Sequence, residues 1–408
     1  MNDSISAGDT AWVLASCALV LVMTPALGFF YGGLVRRKNV LSTLTLSYVF
    51  MALIGVQWVL FGYSLAFGSD IGGLVGGLDF IGFNGVDAAP NPTYSSTIPH
   101  QAFAAFQMMF AIITPALITG AFVERTRFKS FLLFALLWST LVYDPLCHWV
   151  WAEGGWLREL GVLDFAGGTV VHIAAGFSAL AFAIAVGPRR GFGRVPIEPS
   201  NIPYTVLGAG LLWFGWFGFN AGSALGANGV AVNALVTTNT SAAAAGLVWI
   251  LLSWLDGKPS TLGLATGFVV GLAAVTPASG FVTPMAAMLI GAVAAPIAYY
   301  AIRFREKRAL DESLDVWACH GMSSSWGMVA LGLFATVSVN EGGANGLFYG
   351  NVGQLGVQLL AVLITIVFTF TMTFGITKVL AGSIGLRVGA SEEEVGLDIS
   401  THGERAYA

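Results

Sequence analysis

Two histidines stand in apolar surroundings. His172 lies in GGTVVHIAAG and His320 in WACHGMSSSWG. The other three, His100, His148 and His402, fall in a polar connection, at the end of an apolar run and in the polar tail. An ionisable group inside apolar sequence is costly, so each is a functional candidate. Asp164, in LDFAGG, precedes His172 by eight residues, and Asp315 precedes His320 by five. Each is placed to accept backbone N–H groups at the start of a helix. Asp164 has a second candidate role, as negative potential beside a cation path. Aromatic residues gather near glycine-rich stretches. Trp149 and Trp151 are close together, Phe110 lies in FQMMF, and Trp216, Phe217 and Phe219 lie in WFGFNAGS near Ser223. Ring faces of this kind can replace part of the hydration of a small cation. An interfacial aromatic belt is the plainer reading of the tryptophans.

The elements that must position these residues follow from composition. Of 408 residues 56% are hydrophobic and only 10% are Asp, Glu, Lys or Arg, against about 25% charged in ordinary soluble domains. So little charge cannot solvate a soluble surface of this size. A soluble enzyme, a disordered chain and a nucleic-acid binder are excluded, and a polytopic membrane protein remains. The net charge of −4 gives no basic surface. Cys17, Cys147 and Cys319 are widely spaced and suggest buried small hydrophobes, with neither a disulfide framework nor a metal site. Asp3 and Asp9 replace the basic start of a signal peptide, so the first apolar run reads as a retained span.

A bilayer-crossing helix needs about 20 mostly apolar residues, which predicts eleven spans at roughly 11–34, 41–67, 101–123, 130–150, 167–186, 203–224, 230–255, 261–276, 281–302, 318–337 and 352–382. The eighth is short and glycine-rich, and the eleventh is long enough to tilt or to extend past the bilayer. Alternate connections partition the basic residues. One set holds Arg36, Arg37, Lys38, Arg125, Arg127, Lys129, Arg189, Arg190, Arg194, Lys258, Arg303, Arg305, Lys307 and Arg308, with Lys378, Arg387 and Arg405 at or in the tail, leaving only Arg158 opposite. Basic loops face the cytoplasm, so the N-terminus is expected outside and the C-terminus inside. Connection 68–100, free of Lys and Arg, reads as an extracytoplasmic loop. Tail 383–408 reads as a polar cytoplasmic segment open to a partner.

The fifth and tenth spans, which carry the histidines, close two successive blocks of five. Five is odd, so the second block (203–337) runs inverted relative to the first (11–186). Inverted repeats set their substrate path near the midplane, between corresponding elements. The two histidines either meet there or are buried separately. Each lies near its own end of its span, so meeting requires recessed helix ends.

Taken together, FYGGLVRRKN, FQMMFAIITPALITGAFVER, LDFAGGTVVHIAAG, WFGWFGFNAGS, DVWACHG and GLRVGASEEEVGLDISTHGERAY resemble the prokaryotic Amt branch of the ammonium transporter family (Amt/Mep/Rh) from the first span to the last residues. The resemblance implies one all-α domain of eleven transmembrane helices, two inverted five-helix pseudo-repeats, an eleventh helix at 352–382, one pore per protomer and a homotrimer in the cell membrane. It implies no enzyme activity and no cofactor. Trp151, Phe110 and Ser223 resemble the outer ammonium recruitment site, with Asp164 as its buried support. Phe110 and Phe219 resemble a stacked phenyl gate. His172 and His320 resemble the twin histidines of the pore, and Tyr31, Gln107 and Trp216 match further pore-region positions. The implied activity is recruitment of NH4+ (or methylammonium as an analogue), its deprotonation, conduction of NH3, and separate relay of the proton. The tail and inner loops resemble the surface that engages PII-type signalling proteins. Two departures stand out. The segment AEGGWLRELGVL between Trp151 and Asp164 is about one residue longer than the pattern, leaving Trp149 as an alternative to Trp151. Ser324 stands where glycine is usual.

The rival readings are weaker. A haem-binding bundle would use axial histidine pairs, and this chain offers one. A protease reading lacks HExxH, and Ser323, Ser324 and Ser325 lack a GxSxG setting. An ammonium receptor that conducts little is the alternative within the same family.

Overall fold

The computed structural model describes residues 5–407. Among them, nine helices are long and apolar enough to cross a membrane: Ala7–Leu34, Arg37–Phe67, His100–Ala121, Phe128–Glu159, Gly168–Val186, Ile202–Gly222, Gly229–Leu255, Pro284–Lys307 and Val352–Ser383. They occupy nine of the eleven predicted segments. Thr261–Val275, the eighth, is an apolar helix of 15 residues. At 1.5 Å per residue it reaches about 22 Å, short of the roughly 30 Å hydrocarbon core. The tenth is a helix over 317–334 that begins as the π-helical turn Trp317–Met322.

Local sequence sets many of the boundaries. Ser6, Asn201, Asn228, Ser260, Thr283 and Asn351 each stand immediately before a helix and accept a backbone N–H from its first turn. Glycine spacing sets the closest packing. Gly263, Gly267 and Gly271, four apart on the eighth helix, lie against Trp249, Gly246 and Ser241 of the seventh, where a Cβ on Gly271 would come 2.5 Å from the Ser241 carbonyl oxygen. Small residues at this spacing let apolar helices approach closely, which anchors the shortest helix in the bundle. The first helix packs most extensively on the sixth. Gly208 of the sixth sits on the backbone of Phe30, and Gly215 on the side chain of Met23.

Three features depart from the sequence reading. Four π-helical turns lie in the apolar helices, two inside them at Trp58–Gly62 and Ser139–Tyr143 and two at their starts at Gly168–Ile173 and Trp317–Met322. The 68–100 connection carries two small antiparallel hairpins, Asp70–Ile71 with Val75–Gly76 and Pro90–Asn91 with Ser95–Pro99, on an otherwise helical chain. The tail is docked on the chain's own loops. Arg127 N donates to Leu386 O and Val388 N to Arg125 O. Asp398 accepts from Leu41 N and Ser42 N at the start of the second helix. Glu393 is buried and pairs with Arg387.

Candidate functional site

A cavity of about 520 Å³ opens at the end of the fold that carries connection 68–100. Phe110, Gln107, Trp151, Asp164 and Ser223 all line it. Trp151 stands edge-on to Phe110, ring centroids 6.0 Å apart, and its indole N–H donates to Asp164 O at 2.9 Å. The longer segment after Trp151 leaves it on the cavity wall. Trp149 faces away, packed on Phe368 at 4.5 Å with its N–H on Leu74 O. Ser223 donates its hydroxyl proton to Phe219 O at 2.8 Å. With that donor used, its oxygen presents only acceptor capacity to the cavity.

Asp164 is held by the chain turn it organises. Gly167 at φ 116° allows the reversal, and the carboxylate accepts from Gly167 N, Gly168 N, Thr169 N and the Thr169 hydroxyl. Burial raises its pKa, and these donors pull the other way by favouring the ionised form. Asp315 does something different. Its carboxylate binds Arg305 Nε at 2.8 Å, while Glu312 accepts from Trp317 N at the start of the tenth helix. The expected cap on that helix therefore comes from Glu312, which the sequence reading did not single out.

Below the vestibule, Phe110 and Phe219 lie 4.2 Å apart between centroids, tilted by 36° rather than parallel. Beyond them a narrow cavity of about 10 Å³ is walled by Ile113, Leu117, Val171, Trp216, Phe219, His172 and His320. That volume holds about one water-sized molecule. Its walls are almost wholly apolar except for the imidazoles. His172 and His320 approach through Nδ1 at 3.3 Å, so in the neutral pair one nitrogen donates and the other accepts. His172 Nε2 is buried without a hydrogen-bond partner among the described residues. Trp216 stacks on His172 at 5.3 Å and is itself fixed by its N–H on the Thr276 hydroxyl at 2.9 Å. His320 also borders an inner cavity of about 320 Å³ with Tyr31, Cys319 and Asp315. The Tyr31 hydroxyl donates to Leu117 O at 2.9 Å.

The histidines lie in the first turns of helices that begin at Gly168 and Trp317, and glycine lets those helices approach. A Cβ on Gly176 would meet Gly321 N at 2.3 Å, so the fifth and tenth helices cross backbone to backbone, beside the histidines. Ser324 is buried and donates to Ala273 O at 2.7 Å. Its hydroxyl lies between the tenth and eighth helices, not on the narrow cavity.

A charge cluster with no signal in the loop-charge pattern lies on the side of the docked tail, where acids stand beside the basic residues. Glu124 binds Arg36 and Arg189, and Arg189 binds Asp311. Arg125 is buried and donates to Ser313 and to the Asp311 carbonyl. Burial pushes the Glu124 carboxyl up, but Arg189 and Arg36 together outweigh it and leave the pKa below its ordinary value.

Comparison with known proteins agrees with this architecture. The family model of the Ammonium Transporter Family matches residues 11–407. The chain is 50% identical over 403 residues to the ammonium transporter Amt1 of Archaeoglobus fulgidus, spanning 99% of this chain and 100% of that protein. It is 48% identical to the ammonium transporter of Bacillus subtilis, spanning 98% of each. Among solved structures, Candida albicans Mep2 superposes with a TM-score of 0.90 at 35% identity, over 96% of this chain and 88% of that one. A protein described as a sensor Amt protein superposes with a TM-score of 0.88 at 30% identity, over 97% and 98%.

Proposed function

The chain belongs to the ammonium transporter family, and from that premise we propose that it takes up ammonium by binding NH4+ in the Trp151–Phe110–Ser223 vestibule and passing NH3 along the His172–His320 pair. The observation that carries this reading is the 3.3 Å imidazole contact inside an apolar cavity sized for one small molecule. A dehydrated cation is expensive to bury in such surroundings, and neutral ammonia is cheap. Potassium is close to ammonium in size but has no proton to leave behind. Ammonium therefore deprotonates in the vestibule, where the ring faces and the Ser223 oxygen replace part of its hydration and Asp164 adds negative potential. Phe110 and Phe219 gate the way to the narrow cavity. The histidines offer the ammonia hydrogen-bonding nitrogen atoms in an otherwise apolar wall, and the proton is relayed separately.

We further propose the eleven-span topology with the N-terminus outside and the C-terminus cytoplasmic. The contact of the first helix with the sixth and of the fifth with the tenth supports two inverted five-helix blocks. A homotrimer, one pore per protomer, and a PII-type partner on the tail and inner loops complete the reading.

The test is flux and current in vesicles reconstituted with the whole protein, across pH and with K+ as competitor. Ammonium-dependent current supports the transporter with a relayed proton. Flux without current supports electroneutral NH3 conduction. Ligand binding with neither flux nor current overturns transport in favour of a receptor signalling through the tail.

A further inference from the structure

Away from the pore, the second and fourth helices bury a carboxyl and an amide against each other. Asp144 is fully buried and Gln57 nearly so. Gln57 Nε2 donates to Asp144 Oδ2 at 2.7 Å, with Thr140 Oγ1 at 3.4 Å as a weaker second acceptor. The local fold is adapted to this contact. Gln57 immediately precedes the π-helical turn Trp58–Gly62, and Asp144 immediately follows the π-helical turn Ser139–Tyr143. Gly62 leaves the slot for the amide, since a Cβ there would stand 2.5 Å from Gln57 Oε1. π-helical turns recur at functional sites.

Two atoms of the pair remain unmatched. Asp144 Oδ1 and Gln57 Oε1 are both buried and have no hydrogen-bond partner among the described residues. As an ion, Asp144 can only accept, and the amide oxygen can only accept, so neither can satisfy the other. No ion pair among the described residues includes Asp144. The groups that titrate around it are Tyr143 and Cys147 on its own helix, neither of them a cation in any state. His148 lies one turn on, engaged with Ala66 O and Asp70. From the second helix Gln57 faces it. An unpaired carboxylate there would carry the full cost of an isolated buried charge.

We propose that Asp144 is a proton-binding site outside the ammonium path, held as the neutral carboxylic acid in a two-point pair with Gln57: Asp144 Oδ1–H donates to Gln57 Oε1, and Gln57 Nε2–H donates to Asp144 Oδ2. One proton satisfies both orphaned oxygen atoms and removes the buried charge. Neither residue lines the narrow cavity, so the inference stands independently of the ammonium reading.

Infrared spectroscopy of the whole protein in lipid, with 13C-labelled aspartate and at about pH 8, roughly four units above an ordinary aspartate pKa, tests it. The expected result is a protonated-carboxyl C=O band that moves with the aspartate label, disappears in Asp144→Asn, and moves to higher wavenumber in Gln57→Met, which loses the amide donor. Absence of any label-sensitive protonated band in the unmutated protein overturns the proposal, and that reading needs no variant to fold. Persistence of the band in a folded Asp144→Asn protein, or its failure to move in Gln57→Met, overturns it equally.

Discussion

His172 and His320 meet through Nδ1 at 3.3 Å because Gly176 and Gly321 let the two helices that carry them cross without side chains between. The contact is as much a property of the glycines as of the histidines. A methyl on Gly176 would strike backbone, which cannot swing aside as a side chain can. Gly→Ala inside a helix ordinarily stabilises by roughly 0.5–1 kcal/mol. Gly176→Ala is expected to do the reverse, lowering the thermal midpoint by an overpacking cost of about 1–3 kcal/mol and reducing ammonium flux. Gly375→Ala, with nothing among the described residues within 4 Å of the new methyl, is the control and is expected to be neutral or stabilising. Equal effects at the two positions would refute the crossing argument.

His172→Asp tests the neutrality of the narrow cavity. A carboxylate among Val171, Leu117 and Phe219 would stabilise a cation where the imidazole does not. Potassium is then expected to compete with ammonium at least about tenfold more strongly, equivalent to roughly 1.4 kcal/mol. Potassium conductance in vesicles measures this. Selectivity unchanged from the parent would count against ammonia conduction past the pair.

Asp164 accepts four hydrogen bonds, three of them from consecutive backbone N–H groups. Alanine would leave those donors buried, at about 1–3 kcal/mol for each one left unsatisfied. Asp164→Ala is expected to abolish flux and to lower the yield of folded protein. Near-normal flux would remove the supporting role assigned to this carboxylate.

The parts of the fold that were legible in the sequence are those that depend on summed apolarity and on loop charge. Nine of the eleven segments stand out by hydropathy alone. The eighth helix is held by its glycine spacing, which hydropathy does not weigh. The π-helical turns at His172 and His320 gave no signal, because a one-residue bulge leaves the apolar pattern nearly unchanged. Distance along the chain favours Asp315 over Glu312 as the cap, but Asp315, at φ 60°, turns its carboxylate toward Arg305 and leaves the helix start to Glu312. The docked tail could not be read from its composition. Its charges are spent on the Arg190 backbone and the backbone of the second helix, contacts that span 200 residues and more of sequence, and on Arg387 six residues from Glu393.

Glu312 gives stability a pH dependence of definite sign. Burial raises its pKa to about 7, and the neighbouring Asp315 adds to the rise. The unfolded value is about 4.3, so between about 4.3 and 7 the folded state binds more protons than the unfolded one. Stability is therefore expected to fall as pH rises through that window. Glu124 and Asp311 work oppositely. Their folded pKa values are lowered by arginine partners, so their contribution is present above the ordinary carboxylate range and is lost only as pH drops below it. Thermal unfolding between pH 5 and 8 in Glu312→Gln is expected to show a flatter profile than in the parent. A slope unchanged by the substitution would mean that Glu312 is ionised throughout.

Trp151 and Trp149 are two residues apart and take different places, one on the vestibule wall and one in the packed interior. Trp151 faces the vestibule, edge-on to Phe110, and its indole N–H ties it to Asp164 O. Trp149 is buried against Phe368 and Trp156 at centroid distances of 4.5 and 5.6 Å. If the vestibule recruits ammonium by ring faces, Trp151→Leu removes about 0.5–2 kcal/mol of cation–π attraction. The half-saturating ammonium concentration is then expected to rise by roughly two- to thirtyfold, with little change in thermal midpoint. Trp149→Ala excises a large buried side chain and is expected to cost about 3–5 kcal/mol of stability, while the protein that does fold keeps the parental ammonium concentration dependence. Flux measured against ammonium concentration, beside thermal melts of both variants, reads the two effects separately. A raised half-saturating concentration in Trp149→Ala with Trp151→Leu unaffected would move the recruitment site to Trp149 and discard the geometry argued for Trp151.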